Sequence, residues 1–496
     1  MKRTIILLLG LLTAMTALSE SYTIKVHAPQ LANRDVYLAG YFNGKIYSRD
    51  TTHLNGNGYG YFSKSKKLEE GLYMLYVNPN SRYYDFLVAE GQKLDLTVTD
   101  TTQNIVKCFS VTGDEQSEKF IEMGRYITSQ REKSIELNEK IKQGKEKNQP
   151  TEKYETQLQA IDKEVIDYQR RTAEQYKGRT LGIFVSALLN PRFPEALVQA
   201  DLKDEKVQYA RYAYAKDHYF DNYNLSDVRS WRINQLNQRL EDYLEHHVIQ
   251  LPDSIIPEVM NLIEKSKGDT VCFNLMTNYM IDYSVRSRIM GMDKLFARIV
   301  EKYYFTGQAY WADSALMSTI RSEYAKVRLN QLGMKAGNLP LRKFDGTRFH
   351  IYDVNKAYTL VYFFEPSCGH CKEVTPKVHE VYEKYKDKGF EVVAIYLLQD
   401  KEEWREFIEK NNLHDGINAW DPERESYYWE FYDTSTTPGV YLIDKDKKIV
   451  AKKISAESLD DILKYELIEK KENGKAPRRD PKSTKTADYD MGIDLP

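Results

Sequence analysis

Between residues 358 and 398 the chain reads YTLVYFF, then, after a short turn, CKEVTPKVHEVYEKYKDK, then FEVVAIYLL. Two unbroken apolar runs of strand length flank a segment with helical periodicity, and runs that lack polar alternation match strands buried on both faces. Strands of that kind lie in parallel sheets whose crossover helices cover them. The stretch therefore predicts a βαβ unit inside a C-terminal α/β domain that begins near Leu332. A further helical segment, KEEWREFIEKNN, follows, and then TTPGVYLIDKDKKIVAKK, which reads as two strands joined by a hairpin at DKDKK. We place the domain at 332–471 and read 472–496, which has few apolar residues, as a disordered tail.

The rest of the chain changes period twice. From Tyr22 to about Gly113 short apolar runs alternate residue by residue and are punctuated by Asn-Gly and Pro-Asn, as in RDVYLAGYFNGKIYS. This pattern predicts about seven strands in a small antiparallel sandwich or barrel, residues 20–113. From 114 to 331 the spacing becomes helical, beginning with two long, highly charged helices that form a hairpin broken at Asn148-Gln-Pro150. The fold class is thus multidomain α+β: an N-terminal β-sandwich or barrel, a central α-helical domain and a C-terminal α/β domain. The charge run is read as a solvated helix face. His246 and His247 are adjacent and point about 100° apart on a helix, so they do not converge on one metal. Met276, Met280, Met290 and Met292 are read as core filling.

The first nineteen residues have the form of a secretory signal: Lys2 and Arg3, an apolar stretch from Ile5 to Leu12, and a small-x-small site at Ala17-Leu-Ser19. Cleavage near Ser19 would release an exported, periplasmic chain. The apolar stretch is shorter than the ~20 residues of a membrane span, and the mature chain has no candidate span. The chain has 71 Lys plus Arg against 73 Asp plus Glu, so the basic excess of a nucleic-acid binder is missing. Four cysteines in 496 residues are too few for a disulfide framework.

Two of the four stand as Cys368-Gly-His-Cys371, after the first apolar strand and at the start of a helix. A sulfur at a helix N-terminus faces free N–H groups and the positive end of the dipole, which stabilise a thiolate. His370 can add positive charge or a hydrogen bond. Cys371, one turn on, can close a disulfide with Cys368 from a more buried position. Cys368 is therefore read as the attacking thiol and Cys371 as the resolving one. No second Cys-x-x-Cys or histidine pair completes a four-ligand zinc site, so no metal is expected. A structural bridge across so small a ring would constrain little of the unfolded chain. The Pro-x-x-x-Thr-x-x-Cys pattern of peroxide-reducing cysteines would need Pro and Thr at Val361 and Glu365. Cys108 and Cys272, isolated in different predicted domains, are read as buried thiols.

On these residues the C-terminal block resembles the thioredoxin-fold domain of TlpA/ResA-like thiol-disulfide oxidoreductases. The resemblance rests on Cys368-Gly369-His370-Cys371, on Pro376 within the following helix, and on Thr437-Pro438 before GVYLID, which matches the family's cis-proline loop. It implies that the backbone of Thr437 at Pro438 receives the substrate, and that Cys368–Cys371 is a redox-active disulfide needing no other cofactor. The implied partners are cysteine-containing exported proteins and a membrane or periplasmic thiol donor. Two departures stand out. Tyr362 occupies the place of thioredoxin's buried acid, and Ser367 that of the tryptophan before its first cysteine. Glu365 is the candidate acid-base group. The two upstream domains are similar to those preceding thioredoxin domains in exported proteins of Bacteroidetes-type bacteria. The alternative reading is a scaffold or binding protein that uses the thioredoxin fold as a docking module.

Overall fold

The computed structural model describes residues 21–77, 82–102 and 104–470. The expected signal segment and C-terminal tail lie outside them. Packing divides the chain into two compact units that meet at His247/Val248, inside the helical stretch.

The first unit opens with eight strands: β1 (Tyr22–His27), β2 (Asp35–Phe42), β3 (Lys45–His53), β4 (Tyr59–Lys64), β5 (Gly71–Val77), β6 (Arg82–Val88), β7 (Lys93–Val98) and β8 (Phe109–Thr112). They form two four-stranded sheets, ordered β4-β1-β7-β8 and β3-β2-β5-β6, so the fold is sandwich-like rather than a closed barrel. Every pairing is antiparallel except β1 with β7. The residue-by-residue alternation explains the core: Ile24 and Val26, Val36 and Leu38, Phe86 and Val88, and Leu94 and Leu96 point into one buried cluster. The β2–β3 turn is Asn43-Gly44, both at positive φ (49° and 70°), as a two-residue hairpin of matching twist requires.

Two long helices follow, Glu115–Glu146 and Glu152–Gln175. Asp114 caps the first by accepting from the Ser117 N–H at 3.0 Å. The break between them contains Asn148 at φ 51°, the left-handed conformation that asparagine tolerates best among non-glycine residues. Among the described residues, no helix is long and apolar enough to cross a membrane.

The second unit begins with helices at Pro252–Lys265, Thr270–Arg286, Asp293–Ile299 and Ser314–Val327. Met276, Met280 and Met292 are buried there, and Met290 packs partly buried against the C-terminal core. Seven strands then build one sheet: β9 (Pro340–Lys343), β10 (Arg348–His350), β11 (Tyr358–Phe364), β12 (Phe390–Tyr396), β13 (Ile417–Trp420), β14 (Gly439–Asp444) and β15 (Ile449–Lys452). Their order is β10-β9-β13-β12-β11-β14-β15. β11 pairs in parallel with β12, and β12 with β13. The predicted hairpin is β14–β15, whose turn holds Lys447 at φ 63°.

Central β11 is buried on both faces, which accounts for its unbroken apolar run. Leu360, Tyr362 and Phe364 share a core with Cys371 and the helix Gly369–Tyr385, whereas Val361 and Phe363 enter a second core on the other face. Strands β9, β10 and β13, only three or four residues each, carry too little periodicity to be read from sequence.

Candidate active site

β11 ends at Phe364, and Glu365-Pro366-Ser367 turn the chain so that Cys368 arrives as the N-cap of the helix Gly369–Tyr385. The Cys368 N–H donates to Glu365 O at 3.1 Å, closing that turn. In the manner of a capping side chain, Cys368 Sγ accepts from the Cys371 N–H at 3.2 Å. Its thiol also reaches the carbonyl of Thr437 at 3.3 Å. The Thr437–Pro438 peptide is cis. Through the Cys368–Thr437 hydrogen bond the proline segment and the cysteine pair, 69 residues apart, meet at one sulfur. None of the four cysteines is in a disulfide in this structure.

The two thiols differ in acidity. Burial works against ionisation of Cys368. It is outweighed by hydrogen bonds from the Cys371 thiol, the Thr437 side chain and the backbone N–H groups of Cys371 and His370, which together hold Cys368 below the usual thiol range. Cys371 is 0% exposed. Burial, reinforced by its hydrogen bond to Cys368, pushes its pKa up to about 12. The partly exposed sulfur is therefore the more acidic of the two and the buried one the less acidic.

His370 reaches the pair differently from the sequence-based expectation. Its ring is half-exposed and lies nearest Glu373, with Nδ1 3.9 Å from Oε2, while its backbone N–H faces the Cys368 sulfur. A residue at the second helical position projects its side chain outward while its N–H points into the N-terminal site. Glu365 also acts here through the main chain, its N–H favouring ionised Cys371 against the effect of burial. Its half-buried carboxylate bears on the Tyr428 phenol, which burial pushes up against the Arg424 guanidinium, with Asp421 and Glu365 adding smaller upward effects. Tyr362 is 1% exposed, and its hydroxyl lies 2.8 Å from Thr375 Oγ1.

Sequence reasoning missed the cluster that holds the proline segment. Buried Asp433 accepts from Ser435 Oγ at 2.6 Å and from Lys453 Nζ at 2.9 Å, and its N–H donates to Tyr441 OH at 2.7 Å. Burial opposes ionisation of Asp433, but the Lys453 ammonium and the Ser435 bonds outweigh it and hold the carboxyl below its usual range. The Asp-x-Ser spacing was a local signal for the turn, but the lysine, twenty positions away, was not. Among the described residues no group of three or more His, Cys, Asp or Glu side chains is arranged to hold a metal ion.

The chain is similar in sequence to known proteins over two regions. Residues 355–449 match a family model described as thioredoxin-like, and residues 22–120 match a domain of unknown function, DUF4369. The thiol-disulfide oxidoreductase ResA of a Bacillus cereus strain is 24% identical over 135 residues, covering 27% of this chain and 76% of that protein. ResA of Bacillus subtilis (strain 168) is 25% identical over 118 residues, 24% of this chain and 64% of that protein. A crystal structure of a domain of a possible thiol-disulfide isomerase from Cytophaga hutchinsonii is 37% identical, covering 29% of this chain and 97% of that one, with a TM-score of 0.27. A thioredoxin-like protein from Bacteroides caccae is 19% identical, covering 56% of this chain and 98% of that one, with a TM-score of 0.45.

Proposed function

We propose, from a C-terminal region that is thioredoxin-like and homologous to ResA-type thiol-disulfide oxidoreductases, that this chain exchanges disulfides with cysteine-containing exported proteins through Cys368 and Cys371. The observation that carries the reading is the opposed chemistry of two sulfurs one helical turn apart. One is partly exposed, capped by a helix N-terminus and held toward the thiolate, and the other is buried and held as thiol. In the exchange the Cys368 thiolate attacks a substrate disulfide, forming a mixed disulfide and releasing one substrate thiolate. Cys371 then gives up its proton and attacks Cys368 Sγ. The Cys368–Cys371 bond forms, the bond to substrate breaks, and the second substrate sulfur leaves as a thiolate that takes a proton from solvent. Two electrons pass from the dithiol to the substrate, and a membrane or periplasmic thiol donor restores the dithiol. The Thr437 carbonyl beside Pro438 lies against the attacking sulfur and is the backbone group a substrate strand would meet first.

The reading places the chain in the periplasm, with the first nineteen residues as its signal and the Cys368–Cys371 disulfide as its sole redox group. An insulin-reduction assay with dithiothreitol as donor tests it. The wild-type chain accelerates precipitation of the insulin B chain, and the Cys368→Ala/Cys371→Ala double variant does not. Equal rates for the two would leave the scaffold reading.

A further inference from the structure

Thr437 meets the Cys368 sulfur from a segment with little packing of its own. Asp433 at its start and Pro438 at its end are buried, but Thr434, Ser435, Thr436 and Thr437 between them are partly or fully exposed. A polar loop without apolar anchors keeps its shape through the bonds made at its ends. Asp433 accepts from the Ser435 hydroxyl at 2.6 Å and from the Ser435 N–H at 3.2 Å, which closes the first turn of the segment.

Lys453 ties the segment down on both sides. Its N–H donates to Val440 O at 2.9 Å, just after Pro438, and its ammonium bonds the Asp433 carboxylate at 2.9 Å, just before the exposed residues. One residue therefore brackets the segment, by its backbone at one end and its side chain at the other. Lys453 stands directly past β15, whose last residue, Lys452, is itself held by Asp293 at 2.6 Å and Asn330 at 2.7 Å. The bracket thus hangs from a fixed strand end. Burial opposes ionisation of Asp433, but the Lys453 charge and the Ser435 bonds outweigh it, so the pair is charged. The backbone of Lys453 points the same way. Its φ is 52°, a left-handed value that glycine adopts freely and that a residue with a Cβ adopts at a cost. Residues held in such conformations persist where the surrounding structure over-determines them, and they gather at functional sites. Backbone preference alone favours glycine at this position, and what the lysine adds is the bond to Asp433.

We propose that Lys453 is a positioning residue for polypeptide substrates: by holding Asp433 and Val440 on either side of Thr437–Pro438, it sets the Thr437 backbone where an extended substrate strand lies while its disulfide meets Cys368. This rests on the dithiol-exchange reading and names the disulfides the site favours. Pairing backbone to backbone requires the receiving segment to stand still, because each main-chain bond depends on its placement. A small disulfide, which has no strand to lay along Thr437, needs only the Cys368 sulfur. Lys453 touches neither cysteine in this role and acts through Asp433 and the segment between.

The test compares insulin, a polypeptide disulfide, with 5,5′-dithiobis(2-nitrobenzoate), a small one, on the full-length chain. With dithiothreitol as donor, the rate of insulin reduction against insulin concentration gives kcat and KM. Stopped-flow release of thionitrobenzoate by the reduced chain gives the rate with the small disulfide. Misplacing a binding group by about 1 Å costs up to about 10²-fold, so kcat/KM for insulin divided by the thionitrobenzoate rate should fall at least about tenfold in Lys453→Met and in Lys453→Gly, with the loss in KM. Lys453→Arg, which keeps a cation on Asp433, should hold that ratio within about threefold of wild type. The glycine variant separates the two roles of the position, since relief of the backbone alone would leave it as good as wild type or better. A ratio unchanged in Lys453→Met and Lys453→Gly, an arginine variant as impaired as methionine, or equal losses on both disulfides overturns the proposal. Should Lys453→Met fail to fold because Asp433 is left buried without its cation, Asp433→Asn/Lys453→Met removes both charges, keeps an acceptor for Ser435 and is read by the same ratio. A wild-type chain that reacts with the small disulfide and not with insulin also overturns the proposal, whereas one that reacts with neither overturns the exchange reading itself.

Discussion

Cys371 is expected to be almost inert to alkylation at neutral pH while Cys368, one helical turn away, reacts readily. Burial and the neighbouring Cys368 sulfur push the Cys371 thiol up to about 12. An ordinary thiol titrates near 8.5, so at pH 7 about 3% of it is thiolate, against about 10⁻⁵ for Cys371. The deficit is about 10³-fold, equivalent to about 4–5 kcal/mol, before steric shielding adds to it. Iodoacetamide attacks the thiolate alone, so site-resolved peptide mass spectrometry after timed quenching, at pH 5 to 10, reads both curves from one sample. Cys368 should show a midpoint below that of an ordinary thiol, whereas Cys371 should still be gaining reactivity at the highest pH. In Cys368→Ala the hydrogen bond and the charge from Cys368 are gone but burial persists. Cys371 should then react faster than in wild type and still more slowly than an ordinary thiol. Coincident curves with midpoints near 8.5, or a faster Cys371, would refute the assignment.

The structure separates the two ways in which His370 could tune Cys368. If its backbone N–H is the group that matters, His370→Ala leaves the reduction potential nearly unchanged. His370→Pro, which deletes that donor, makes the couple more reducing, by about 30 mV for each tenfold loss of thiolate stabilisation. Glutathione equilibration measures both, and a large shift in the Ala variant would restore the imidazole to the argument. Cys371→Ala expressed in the exported compartment should accumulate dithiothreitol-sensitive adducts through Cys368, visible as high-mass bands, and Cys368→Ala far fewer. Adducts formed only through Cys371 would reverse the roles. Lys452, its side chain 5% exposed, bonds Asp293 at 2.6 Å and Asn330 at 2.7 Å. Lys452→Met should therefore cost about 3–5 kcal/mol in urea unfolding, with most of it recovered in Lys452→Met/Asp293→Leu. A single variant that loses less than about 1 kcal/mol would mean the pair contributes little to stability.

The features legible from the residues alone are relations between near neighbours in the chain. The alternation of residues 22–113, the Asn43-Gly44 turn, the long helices and the unbroken apolar β11 run all report which side of a strand or helix meets solvent. That information repeats every two to four residues and survives without knowledge of the fold. The dithiol was legible for the same reason, since a cysteine at a strand-to-helix junction is placed by the chain on either side of it. Tertiary structure alone decided what those cysteines touch. The Cys368 sulfur meets Thr437 from 69 residues away, Lys453 anchors Asp433 behind the proline, and Lys452 of β15 reaches a helix 159 residues upstream. It also turned the His370 ring toward Glu373 and closed Tyr362 over Thr375 beside Asn418. Contacts of this range follow from the order in which strands pair and the faces their helices cover. No local pattern in the chain records which distant polar atom will be left to satisfy another once both are shut away from water.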